Sequence, residues 1–157
     1  MTKSPRGKPL SGVRILVGRA RRQASALSAG LKALGAEVIE IPFIAIRSPK
    51  TYKPLDSALK RIQEYEWLIL TSVNGAEALG QRLKHLQIKP HTLAHLRIVA
   101  IGPATRDAIT RLGLKVAVVP DRYIAESLVE RLRDKVDGKR VLLARAKIAR
   151  DVIPREL

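Results

Sequence analysis

A chain of 157 residues can make one ordinary domain, or one small domain and part of a second. Its 46% apolar content supports a core, which must be aliphatic because aromatics make up only 3%, and zero cysteines excludes disulfides, thiolate catalysis and cysteine-ligated metal. The net charge of +16 predicts attraction to polyanions, either nucleic acid or a small molecule rich in carboxylates or phosphates. The cations are scattered, without long runs or interleaved aromatics for base stacking, so charge does not choose between these partners.

Residues 1–10 are basic and lack the apolar segment of a secretory signal, which predicts a flexible tail. No apolar run approaches the roughly eighteen residues of a membrane span, and a cytoplasmic location is expected. Residues 11–46 then read as one βαβ unit. It has a strand over 13–17, a helix over 23–34 with Ala24, Leu27, Leu31 and Leu34 on one face, a stop at Gly35, and a strand over 38–46. Residues 47–54, with Pro49 and Pro54 and no period, read as a linker. From 55 to 157, helical patterns at 55–65, 76–86, 104–112, 125–135 and 148–157 alternate with apolar strands at 67–70, 98–101, 116–119 and 141–143. Short apolar strands alternating with helices predict the α/β class, a parallel sheet covered on both faces.

The chain also repeats itself. Gly12, Arg14, Leu16, Arg19, Ala20 and Leu31 match Gly138, Arg140, Leu142, Arg145, Ala146 and Leu157 at one constant offset. Ile15/Val141, Val17/Leu143 and Leu27/Ile153 are apolar exchanges at the same offset. The second copy stops inside its helix. A lone βαβ unit cannot bury both faces of two strands, so the expectation is that 11–46 belongs to a first domain whose remainder follows residue 157. Residues 55–157 would form the second.

Two strand-to-helix turns are candidate sites: Thr71-Ser72-Val73-Asn74-Gly75, and Ile101-Gly102-Pro103-Ala104-Thr105. Open α/β sheets bind ligands beyond the carboxyl ends of their strands, where unpaired N–H groups and the helix dipole favour anions. Ser72, Asn74 and Thr105 are equally readable as helix caps without a ligand. Neither turn is a GxGxxG fingerprint or a P-loop. Arg19 and Arg145, just after the repeated strands, either pair with ligand carboxylates or form salt bridges within the fold. His85, His91 and His95 lack the spacing of a zinc site, and Tyr52, Tyr65 and Tyr123 read as packing or surface groups rather than acids.

The ordered set is more telling than any single motif. Arg14-Ile-Leu-Val-Gly-Arg19, Leu34-Gly-Ala36 and Val38-Ile-Glu-Ile-Pro42 are followed by Thr71-Ser-Val-Asn-Gly75 and Ile101-Gly-Pro-Ala-Thr105. Then come Leu112-Gly113, Pro120 before Ala125-Glu-Ser-Leu128, and Arg145 with Arg150 and Ile153-Pro154. Across 11–157 this resembles the uroporphyrinogen-III synthase family. The resemblance implies a flavodoxin-like, parallel-sheet architecture of two domains joined by two linkers, with the first domain incomplete in these residues. It implies a lyase of tetrapyrrole (haem) biosynthesis that closes hydroxymethylbilane to uroporphyrinogen III, losing water and inverting the last pyrrole ring. It also implies a monomer that needs no metal or organic cofactor. On the matching positions, Ser72, Asn74, Gly75, Gly102 and Thr105 would bind carboxylates of an eight-carboxylate substrate, with Arg19 and Arg145 beside them. The family's proposed acid, a tyrosine after the second-copy strand, has no counterpart here. The catalytic residue is therefore left unassigned, and these residues alone are expected to be inactive. The alternative is a non-catalytic basic α/β module that binds anionic tetrapyrrole or nucleic acid. A phosphoacceptor domain of similar fold is disfavoured, because no strand ends in an acidic cluster.

Overall fold

The computed structural model describes residues 8–18, 21–43, 45–146 and 149–157, the side chains of 21–25 excepted. Contacts divide the chain into two units, Met1–Ser48 and Pro49–Leu157.

The first unit is β1 (Arg14–Val17), α1 (Arg21–Ala33) and β2 (Glu37–Glu40). The two strands are parallel, with Arg14 opposite Glu37 and Val17 opposite Glu40. Val17, Ser28 and Ala36 are buried. Leu16 and Ile39, register partners on one face, are 54% and 37% exposed. The apolar stripe expected of the helix is likewise incompletely used, since Leu27 and Leu34 are exposed and Leu31 is half-buried. Two strands present too few inward positions to cover it. The second strand ends at Glu40 rather than at residue 46. Ile41 still donates its N–H to the carbonyl of Val17, the last residue of β1, at 3.1 Å. Within the segment read as a tail, the Leu10 N–H donates to the Leu34 carbonyl at 2.9 Å, tying residues 8–12 to the end of α1.

In the second unit, α2 (Lys53–Lys60) leads through a 3-10 turn (Ile62–Glu64) to β3 (Trp67–Leu70) and α3 (Val73–His85). A second 3-10 turn (Pro90–Leu93) precedes β4 (Arg97–Ala100) and α4 (Pro103–Thr110). Then follow β5 (Val116–Val118), α5 (Ala125–Val136), β6 (Val141–Ala144) and α6 (Val152–Glu156). Part of the segment read as a linker is thus helix. Pro54 occupies the opening of α2, where a missing N–H goes unneeded.

The four strands are parallel in the order β5-β4-β3-β6. Every residue of β3 is buried, and its side chains alternate between two cores. Leu68 and Leu70 join Leu59, Leu79, Ile98 and Ile109 on one face. Trp67 and Ile69 join Val99, Leu128, Leu132 and Ile153 on the other. Cations guard the rims. The Arg82 guanidinium makes two 2.8 Å bonds to Asp56 and lies 4.7 Å from the Tyr52 ring centre, fastening α3 to α2. Arg97 lies 4.5 Å over Trp67. The repeat is visible in the backbone, for Gly12 and Gly138 enter β1 and β6 with φ of +80° and +64°, values that favour glycine.

Candidate functional site

The strand order decides where a ligand can sit. From β3 the chain steps to β4 and β5 on one side, then returns to place β6 on the other, so the topological switch lies between β3 and β6. In open α/β sheets the crevice beyond the carboxyl ends at such a switch is the binding position. Six of the candidate residues stand at that edge: Ser72, Asn74 and Gly75 after β3, Gly102 and Thr105 after β4, and Arg145 after β6. Leu70 and Ala144, the last residues of β3 and β6, are register partners, so the turns that follow them begin side by side. Arg19 lies outside the described residues.

The two helix starts differ. Ser72 is the N-cap of α3, and its Oγ accepts the Gly75 N–H at 3.0 Å. This is the cap reading of that residue, and it leaves the hydroxyl proton free to donate outward. Gly75 packs close to the β6 end, for a Cβ placed there would lie 3.5 Å from the Ala144 carbonyl oxygen. Asn74 is half-buried. In α4 the N-cap is Gly102, which has no side chain to cap with, and Pro103 follows it. The Arg106 N–H is the first to be taken, by the Gly102 carbonyl at 3.0 Å. The N–H groups of Ala104 and Thr105 therefore open the helix without a side-chain acceptor. Thr105 is 4% exposed, within the first turn. An anion met here would find N–H donors and the positive end of the helix dipole, with no carboxylate in the first turn of α3 or α4 to oppose it.

Arg145 is spent differently. Its Nη1 donates to the carbonyls of Ala149 and Arg150 at 3.3 and 3.0 Å, and its Nη2 reaches the Asp151 carboxylate at 2.6 Å. That bond, reinforced by the guanidinium charge, holds the Asp151 carboxyl below the usual carboxylate range. Of the two readings open for Arg145, the structure supplies the internal salt bridge. It also accounts for the late start of α6 at Val152, because the carbonyls bonded by Arg145 belong to a loop that a helix from 148 would have consumed.

Two features at this edge have no local sequence signal. One is the Arg145–Asp151 clasp, whose partners stand in a loop between β6 and α6. The other is Tyr123, from the β5–α5 loop, whose ring lies against Gly102. Among the histidines, His95 has Nε2 3.3 Å from the Ile62 carbonyl, a packing contact.

Fold and edge together define a doubly wound parallel α/β protein with uncapped helix N–H donors beyond its strand ends. The comparisons narrow this class. The family model for uroporphyrinogen-III synthase HemD matches residues 25–157, and the chain belongs to that family. It is 41% identical over 138 residues to the uroporphyrinogen-III synthase of Synechococcus elongatus, covering 88% of this chain and 52% of the relative. It is 33% identical over 150 residues to the porphyrin biosynthesis protein HemD of Ruminiclostridium josui, covering 93% and 29%. A crystal structure of a mutant uroporphyrinogen III synthase from the extreme thermophile Thermus thermophilus superimposes with a TM-score of 0.71 at 20% identity, over 93% of this chain and 57% of that one. The fold is thus shared, and the chain spans about half the length of the synthases it matches.

Proposed function

We propose that these residues carry part of a uroporphyrinogen-III synthase, acting in the cytoplasm on hydroxymethylbilane. In this reading the whole protein closes the linear tetrapyrrole to uroporphyrinogen III with loss of water and inversion of the last ring. The carrying observation is that the matched family region, 25–157, contains the whole strand-end cluster Ser72, Asn74, Gly75, Gly102 and Thr105. Substrate carboxylates would accept from the free N–H groups of Ala104 and Thr105 and from the Ser72 and Thr105 hydroxyls. Such fixed donors cost no reorganisation when the substrate arrives. Their chemical contribution is positioning: a flexible tetrapyrrole held at several carboxylates has fewer ways to close, and the attack that inverts the last ring is favoured by orientation. The excess of cations adds a long-range attraction for a polyanion. The proton donor for the departing hydroxyl is not assigned to any of these residues.

The test is incubation of the purified 157-residue chain with hydroxymethylbilane and chromatographic separation of the products. Spontaneous closure gives the unrearranged type I ring. The expected result for these residues alone is type I only, with type III appearing when they are tested within a chain of the relatives' full length. Type I alone from the full-length chain would overturn the proposed activity. A mixture enriched in type III from the shorter chain would place the acid among its residues.

A further inference from the structure

Gly102 has extended backbone at φ −170°, which any residue adopts, so its backbone conformation does not call for glycine. Space does. A Cβ at this position would stand 3.2 Å from Tyr123 Cγ, 3.3 Å from its Cβ and 3.5 Å from its Cδ1. The Tyr123 ring therefore lies directly on the N-cap residue of α4, filling the place a side chain would take. Much of it stays open, for Tyr123 remains 59% exposed and its neighbour Ile124 42% exposed. Beside this open apolar ledge lies the first turn of α4, with its two uncapped N–H groups. Thr105, in that turn, is 4% exposed. An apolar ledge and a nearly buried threonine thus adjoin at one helix start.

We propose that Tyr123 is a substrate-contact residue: its ring, with Ile124, forms the wall against which one pyrrole ring lies while α4 and Thr105 hold a carboxylate of that same ring. The inference rests on the reading that this strand edge takes a polycarboxylate tetrapyrrole, and it adds how the site tells such a ligand from other polyanions. A pyrrole bearing acid side chains is apolar on its faces and anionic at its rim. The ledge and the helix start present those two characters next to each other. A ring-free polycarboxylate would engage the helix start and leave the ledge idle.

The experiment measures binding of uroporphyrin III, a stable octacarboxylate tetrapyrrole, to the purified chain by fluorescence titration. Butane-1,2,3,4-tetracarboxylate serves as a ring-free competitor. Tyr123→Ala should weaken uroporphyrin binding by about tenfold, the usual scale for a lost aromatic contact, and leave competition by the tetracarboxylate unchanged. Tyr123→Phe, which keeps the wall, should remain within about threefold of the parent. Thr105→Val, nearly isosteric, should weaken both ligands. Far-UV spectra and unfolding midpoints matching the parent's establish that each variant is folded. If Thr105→Val weakens binding and Tyr123→Ala does not, the strand-edge reading stands and the role of Tyr123 falls. If the parent chain fails to bind uroporphyrin, or binds it indifferently to Thr105→Val, the reading itself fails and the inference goes with it.

Discussion

Leu16 and Leu142 hold the same place in the repeat, and so do Leu27 and Ile153, yet their surroundings differ sharply. In the first unit Leu16 is 54% exposed and Leu27 43% exposed. In the second, Leu142 packs against the core under β3, and Ile153 is 5% exposed in the core on the opposite face. Sequence chemistry is shared; coverage is not. β6 lies beside β3 in a four-stranded sheet flanked by cores on both faces, whereas among the described residues β1 pairs with β2 alone. A strand becomes core when neighbours remove its side chains from water, and an apolar residue by itself supplies only the tendency.

Core truncation gives the largest expected effect. Leu68→Ala, in fully buried β3, should destabilise the chain by about 2–5 kcal/mol in urea unfolding, while Leu16→Ala should change it by under about 0.5 kcal/mol. Similar losses at the two sites would break the comparison. Backbone strain sharpens it next. Gly138 and Gly12 both have positive φ, and nothing lies within 4 Å of a Cβ placed at either. Gly138→Ala should therefore cost about 1–2 kcal/mol from conformation alone. Gly12→Ala carries the same local strain. It should register less in global unfolding if the first unit opens separately, which amide exchange of β1 and β2 would report.

Ser72→Ala removes the cap of α3 and should cost about 1 kcal/mol in thermal or urea unfolding. Thr105→Val, on the helix that lacks a side-chain cap, should leave stability nearly unchanged while reducing uroporphyrin binding. The smallest effect concerns pH. The Arg82 hydrogen bond, aided by its charge, holds the Asp56 carboxyl below its ordinary range despite partial burial. A depressed carboxylate contributes stability above its unfolded pKa and loses it as pH falls through the folded value, so this contribution fades below about pH 4. Asp56→Asn should show a shallower acid limb in unfolding midpoint against pH. An unchanged limb would mean the clasp contributes nothing to folding.

Legibility followed the range of the interaction. β3 spans Trp67–Leu70 in both sequence pattern and structure, because consecutive apolar residues between polar turns leave little choice. The Ser72 cap was legible for the same reason, its partner Gly75 lying within the next turn of chain. β2 ran short of expectation, its last ladder bond being that of Ile41 to Val17, where β1 ends. α6 began late because Arg145 claimed the loop carbonyls ahead of it. The contact of Tyr123 with Gly102 left no trace in either local pattern, since it joins loops after two different strands.

Sequence alone determined the alternation of strand and helix, the internal repeat, the cationic excess and the two hydroxyl- and glycine-bearing turns, since all of these are carried by composition and short spacing. Tertiary structure decided the order β5-β4-β3-β6, and with it the switch between β3 and β6 that gathers those turns at one edge. It also decided that Arg145 answers Asp151, that Tyr123 lies on Gly102, and which copy of a repeated leucine packs against a core. These outcomes depend on which surfaces meet in space, and similar local sequence meets different neighbours in the two units.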